Sequence, residues 1–342
     1  MTLSRCVPLS VLDLSPIASG ASPGEALRNS IDLARRAEDL GYHRFWVAEH
    51  HNMPGIASSA PAVLIAHLAD ATEAMRIGSG GVMLPNHPPL VVAEQFGMLE
   101  ALHPGRIDLG IGRAPGTDPA TAAALRRSAA GSSADDFPEQ LGDLLGFFQG
   151  SFPAEHPYAN IRAVPGLGDM PALWLLGSSG YSAQVAGALG VPFAFAHHFS
   201  SSSTLPALEL YRECFRPSAV LAQPYVMIGA AVLCADSDDA AVFLHGSSRL
   251  QMLRLRTGMP GPVPSPEEAA AYPYTAAELA LVHKHTGSHI VGDPATVTRG
   301  LDDLIAATGV DEVMVTSVTY DHKARVRSFE LVAELAGLGA AV

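Results

Sequence analysis

The 342-residue chain is 48% hydrophobic and 16% charged, which excludes a disordered chain and provides for a large buried core. Its net charge of −13 argues against duplex nucleic acid or an anionic membrane as partner, while leaving room for a local basic site that holds one phosphate. The three cysteines, Cys6, Cys214 and Cys234, are far apart and odd in number, which suits a reducing cytoplasm and not a disulfide framework.

The opening Met-Thr-Leu-Ser-Arg-Cys lacks the charged start and long apolar run of a secretory signal. Val7 to Leu14 reads as a strand. Gly24 to Leu40 reads as a helix, with Ala26, Ile31, Leu33, Ala34 and Ala37 on one face and Arg28, Arg35, Arg36 and Glu38 on the other. His43 to Ala48 is a second strand, Pro61 to Glu73 a helix, Arg76 to Leu84 a strand and Pro88 to Leu102 a helix. Arg106 to Gly112 is a fourth strand, followed by a broken helical region from Pro119 to Gln149.

The second half repeats the alternation. Strands are expected at Ala172–Leu176, Pro192–Ala196, Tyr225–Ala235 and Asp311–Thr316. Helices are expected at Tyr181–Leu189, Leu205–Phe215, Asp236–Leu255 and Lys323–Leu335, with another opened by Asp293 as N-cap and Pro294 at its first position. Thr257 to His289, with Pro260, Pro262, Pro264 and Pro266, reads as an irregular insertion. Met170 to Leu208 carries no Asp, Glu, Lys or Arg, but glycines, Pro192, His197-His198 and a serine run break it, so no membrane span is expected. Eight βα units without a linker favour one (β/α)8 TIM barrel over an open doubly wound sheet.

In such a barrel, function sits where strands run out at their C-terminal ends. Glu49-His50-His51 is the densest polar group there, and alternation places Glu49 and His51 on one side and His50 on the other. A histidine at that position can act as acid or base, although a polar cap on the barrel mouth would have the same composition. Zinc ligation is disfavoured because the HxxxH spacing is missing. Gly80-Gly81 interrupts a strand, which points to a bulge, unusual backbone, close ligand approach or simple packing. Gly110-Ile-Gly112-Arg113-Ala-Pro-Gly116 is not a dinucleotide loop, because its spacing is GxGxxxG and Pro115 interrupts the helix that should follow. Arg113 is better read as a fixed cation for an anion. Gly177-Ser178-Ser179-Gly180-Tyr181 lies between strand and helix, where free N–H groups and hydroxyls can hold a phosphate. His197-His198 either lines the substrate cavity or packs, and His283, His285 and His289 read as a solvated loop before a metal site. Ser178 and Ser179 are not in a GxSxG elbow, so a hydrolase triad has little support.

Several ordered motifs together make the sequence resemble the bacterial luciferase-like flavin-dependent monooxygenases over nearly its whole length. They are Phe45-Trp-Val-Ala-Glu-His-His51, Gly78-Ser-Gly-Gly-Val-Met-Leu-Pro85 with His87-Pro88, His103-Pro-Gly-Arg-Ile-Asp-Leu-Gly-Ile-Gly-Arg113, Leu176-Gly-Ser-Ser-Gly-Tyr-Ser-Ala183 and Ile290-Val-Gly-Asp-Pro-Ala-Thr-Val297. The resemblance implies a two-component enzyme. A separate reductase would supply reduced FMN (FMNH2), and oxygen would form a C4a-(hydro)peroxide that oxygenates a small organic substrate. Glu49 and Gly81 would approach the isoalloxazine ring, with a cis Gly80–Gly81 peptide beneath it. Arg113, Gly177, Ser178, Ser179, Gly180 and Tyr181 would hold the FMN phosphate, and His50 would be the catalytic histidine.

The same resemblance makes 257–289 a mobile lid and implies a homodimer. The apolar helices after the second and third strands could pair two subunits, although the sequence alone permits a monomer. The cysteine usage points to the cytoplasm. Gly112 stands where bacterial luciferase has a reactive cysteine, which argues against light emission and a long-chain aldehyde substrate. An F420-dependent hydride-transfer enzyme on the same barrel is the alternative, and a flavin-storing protein without turnover is a third reading. The acidic F420 tail calls for extra cations that the sequence does not supply beside Arg113.

Overall fold

The computed structural model describes residues 2–5, 7–114, 117–126 and 136–339. Cys6, Pro115, Gly116 and the middle of the broken helical region therefore lie outside the described residues.

The chain alternates strands and helices. In order they are β1 (Leu9–Asp13), α1 (Pro23–Asp39), β2 (Arg44–Val47), α2 (Pro61–Asp70), β3 (Arg76–Met83), α3 (Pro89–Leu102), β4 (Ile107–Gly112), α4 (Pro119–Arg126) and α5 (Phe137–Gln149). Then come β5 (Ala172–Gly177), α6 (Gly180–Leu189), β6 (Phe193–Phe195), α7 (His197–Ser200), α8 (Thr204–Cys214), β7 (Val226–Cys234) and α9 (Asp238–Arg256). The last elements are α10 (Pro266–Ala271), α11 (Ala276–Thr286), β8 (Ile290–Gly292), α12 (Pro294–Thr308), β9 (Glu312–Thr316) and α13 (His322–Leu335).

All strand pairings in this sheet are parallel. The order β6-β5-β4-β3-β2-β1-β9-β7 is closed by β6 pairing with β7, so eight strands form a ring. This is the expected (β/α)8 barrel. Strands covered on both faces need near-continuous apolar runs, and Leu9, Val11, Phe45, Val47, Leu109, Ile111, Val313 and Val315 are all buried. Alternation divides their side chains between two cores. One lies between barrel and helices. The other fills the barrel with Leu12, Trp46, Ala48, Trp174, Ala194, Met227 and Met314. Trp46 and Trp174 meet edge to face at 5.2 Å.

The N-terminal ends of the strands are joined by buried charges. Arg44 bonds Asp108 at 2.6 Å and Glu312 at 2.7 Å, and Arg76 bonds Asp108 at 2.6 Å. Burial works against the Arg44 charge, but Asp108 and Glu312 outweigh it and raise its pKa. This network belongs to the face that serves stability in such barrels. It leaves the opposite mouth for chemistry.

The segment 257–289 is not irregular. It contains α10 and α11. Pro266 sits in the first turn of α10, where a missing N–H costs nothing. Thr275 and Glu278 form a reciprocal capping box for α11. β8 is an additional short strand that pairs only with the end of β7, Leu233 opposite Val291, and stays outside the ring. Asp293 does cap α12, accepting from the Thr296 N–H at 2.8 Å, with Pro294 in the first turn. Among the described residues, no helix is long and apolar enough to cross a membrane.

Candidate active site

The mouth of the barrel collects residues from five successive strand ends. β2 ends at Val47, and the chain beyond it separates the three polar residues as alternation requires. Glu49 and His51 come together at 2.8 Å. Glu49 is fully buried, and its carboxylate also accepts from the Met83 N–H at 3.0 Å, Asn86 Nδ2 at 3.3 Å and His87 Nε2 at 2.9 Å. Burial alone would raise this carboxyl pKa, but His87, His51 and the Met83 amide outweigh it and lower it. The donor atoms of Glu49, His51 and His87 lie within 4.8 Å of one another, a spacing a metal ion could bridge. Both imidazoles, however, meet one carboxylate oxygen at hydrogen-bond distance, so the geometry is already complete as a hydrogen-bonded cluster.

His50 is directed elsewhere. Its Nδ1 is buried without a partner, while its backbone N–H bonds the Ser58 carbonyl at 3.0 Å. Burial lowers its pKa against the opposing pull of Glu49, so the ring is neutral near pH 7. A neutral imidazole has one bare nitrogen that can take up a proton as a base, while its other nitrogen keeps an N–H.

The peptide joining Gly80 and Gly81 in β3 is cis. The register with β4 shifts at the same point, between Gly80 and Val82. Packing also demands these glycines. A Cβ on Gly80 would lie 2.8 Å from Leu12 Cδ1, and one on Gly81 would lie 2.8 Å from the Gly110 carbonyl oxygen. Bulge, unusual backbone and close packing thus coincide.

At the end of β4, the Arg113 guanidinium lies 4.0 Å from the centroid of the Tyr181 ring. Tyr181 is in the first turn of α6, after Gly177, Ser178 and Ser179. The N-cap residue Ser179 makes no side-chain capping bond, so the first amides of α6 remain available to an anion. Among the described residues, Arg113 has no carboxylate partner. No other Lys or Arg occurs in 107–114 or 172–190. Of the residues read from the sequence as a phosphate site, Arg113 meets Tyr181, which follows Gly177, Ser178, Ser179 and Gly180 at the start of α6.

A belt of imidazoles continues the mouth. His198 Nδ1 bonds the Gly229 carbonyl at 3.1 Å, and His197 Nδ1 lies 2.9 Å from Thr204 Oγ1. His289 does not join His283 and His285 in a ligand set. It meets His245 of α9, Nδ1 to Nε2, at 3.0 Å. Burial pulls His198 and His289 down to about 4 and His245 to about 3. His245 and Thr316 were not singled out in the sequence. Thr316 was accessible as the last residue of the final barrel strand, while His245 sits in a long helix with no local motif.

The chain is thus a closed parallel barrel with its polar residues gathered at one mouth. The family model for luciferase-like monooxygenases matches residues 7–312, and the chain belongs to that family. It is 52% identical over 327 residues to protein YvbT of Bacillus subtilis (strain 168), covering 96% of each chain. It is 48% identical over 331 residues to a luciferase-like monooxygenase of Escherichia coli (strain K12), covering 97% of each. An N-acetyl-S-alkylcysteine monooxygenase of Bacillus subtilis (strain 168) is 34% identical over 333 residues, covering 96% of this chain and 98% of that one.

Among solved structures, apo-MsnO8 matches with TM-score 0.88 and 37% identity over 97% of this chain and 99% of that one. Two others share the fold alone. The oxygenating constituent of 3,6-diketocamphane monooxygenase of Pseudomonas putida, in complex with FMN, has TM-score 0.72 at 21% identity, covering 96% and 98%. An F420-dependent secondary alcohol dehydrogenase has TM-score 0.68 at 17% identity, covering 97% and 99%.

Proposed function

We propose that this protein is an FMN-dependent monooxygenase that receives reduced flavin from a separate reductase and oxygenates a small organic substrate. The observation that carries the reading is Arg113 stacked on Tyr181 beside the open amides of α6. One phosphomonoester has the charge and acceptor count for that cradle. Gly177, Ser178, Ser179 and Gly180 would complete its hold. The ring would extend over Gly80 and Gly81, with Glu49 beside it.

Bound reduced flavin supplies two electrons to dioxygen, so that one oxygen atom enters the substrate and the other leaves as water. The protein's own residues bind, orient and exclude water. His50 is the proposed base. Its partnerless buried Nδ1 can accept a proton from substrate or hydrogen-bond it. The segment 257–289, carrying α10 and α11, is the proposed lid over the mouth. A single cationic side chain at the cradle suits FMN. The longer acidic tail of F420 would need further cations.

The test is an anaerobic titration of the protein with FMNH2 and, separately, with reduced F420. Tight FMNH2 binding that is weakened by about 10- to 100-fold in Arg113→Ala supports the reading. Binding of F420 with no affinity for FMNH2 overturns it and makes hydride transfer the working chemistry. Binding of FMNH2 with no substrate-linked oxygen uptake under any condition returns the flavin-storage reading.

A further inference from the structure

We propose that the β7–β9 side of the barrel mouth seats an uncharged hydrogen-bonding group of the substrate, a carbonyl, amide or hydroxyl, and rejects carboxylates and ammonium groups. This rests on the monooxygenase reading and adds the chemical class that its substrate must present.

The seat is a cavity of about 20 Å³, enough for one water-sized group. Its lining includes Ala231, His245, His289, Thr316 and Ser317. Met227 and Met314 belong to the core inside the barrel, so strand alternation turns Ala231 and Thr316 to the same inner side. Ala231 and Thr316 are paired across β7 and β9. In the eight-strand ring, β7 stands opposite β3, the strand with the cis glycine pair. A substrate held there by one polar end would extend across the mouth toward the proposed flavin position.

The polar groups of the cavity wait for a partner. Thr316 is 5% exposed and Ser317 is 8% exposed, and neither hydroxyl oxygen has a hydrogen-bond partner. A buried hydroxyl without a partner is destabilising, and each of these can both donate and accept. The His245–His289 bond at 3.0 Å needs one ring nitrogen to donate and the other to be bare, so the two rings are not both cationic. No Asp, Glu, Lys or Arg lines the cavity. Arg249 acts electrostatically on His245 but is not part of the lining. An ion entering the seat would lose its hydration and find no counter-charge. A neutral dipole would satisfy both hydroxyls.

Three probes of one shape separate these cases: cyclohexanone, cyclohexanecarboxylate and cyclohexylammonium. Their binding to the full chain is read by saturation-transfer NMR, with and without FMN. FMN binding is measured independently by fluorescence quenching. Cyclohexanone is expected to bind at least about tenfold more tightly than either ion, and the near-isosteric Thr316→Val/Ser317→Ala double variant to weaken it by about tenfold while FMN affinity stays unchanged. Equal or tighter binding of an ion, no binding of the ketone, or an unaltered ketone affinity in the double variant overturns the proposal. Selective ketone binding in a protein that takes no FMN would instead overturn the flavin reading and leave the seat standing.

Discussion

The Arg113 guanidinium lies 4.0 Å above the Tyr181 ring, joining the end of β4 to the first turn of α6. The ring fixes a cation where the α6 amides are open, so orientation is set before any anion arrives. Arg113→Ala is expected to weaken FMN binding by about 10- to 100-fold, the loss of one or two charge-assisted hydrogen bonds. Arg113→Lys should recover only part of this, because an ammonium neither stacks nor forks. Fluorescence quenching titrations check both.

Glu49 is the acceptor on which His51, His87 and the Met83 amide converge. Glu49→Ala leaves those donors buried around a void and is expected to cost about 3–5 kcal/mol of stability. Glu49→Gln keeps the shape and should cost less. Urea denaturation of the two variants beside the parent measures the difference.

Gly110 is packed against the β3 backbone. A Cβ at this position would lie 2.1 Å from the Ser79 carbonyl oxygen, and neither strand can yield without breaking its neighbours. Gly110→Ala is expected to destabilise by about 1–3 kcal/mol or to prevent folding, as overpacking against a fixed backbone does. Its thermal midpoint against that of Gly105→Ala separates packing from left-handed backbone cost. A Cβ at Gly105 meets nothing within 4 Å, but its φ is +76°.

The histidine belt predicts a pH dependence. His198, His245 and His289 are held at about 4, 3 and 4 in the folded protein. In the unfolded chain a histidine titrates near ~6.5. Below that pH the unfolded chain takes up protons that the folded belt refuses. Stability is therefore full above about pH 6.5 and declines as pH falls toward about 4. The thermal midpoint should drop between about pH 7.5 and about pH 5, before most carboxylates titrate. His198→Asn should flatten that decline.

α2 and α3 are neighbours on the outside of the barrel and expose Val63 (63%), Met98 (51%) and Leu102 (67%). Apolar exposure of this kind on adjacent helices favours self-association, and a homodimer is the expected state. Sedimentation equilibrium should give twice the chain mass, and Met98→Glu should shift it toward the monomer.

Much of this was legible because a strand covered on both faces must be a short apolar run, and β1 to β7 and β9 all read that way. Alternation beyond β2 also separated His50 from Glu49 and His51. β8 escaped because Ile290–Gly292 is only three residues long and joins no ring. The helices of the insertion were hidden by four prolines that signal irregular chain, although Pro266 in fact starts α10. The Thr275–Glu278 capping box was readable and outweighed by that proline count. His245 meeting His289 and Thr316 pairing with Ala231 are long-range contacts. They are made by tertiary packing between segments far apart in the chain and leave no mark in any local window.

The most direct test of the account is a stopped-flow oxygen pulse to the anaerobic complex with FMNH2, with flavin absorbance and oxygen uptake followed together. The account predicts delayed flavin reoxidation through a transient absorbing species, and uptake of one oxygen molecule per flavin. The delay should persist in His50→Ala, while transfer of oxygen to substrate falls. Immediate reoxidation at the rate of free FMNH2, with all the oxygen released as hydrogen peroxide, would contradict it.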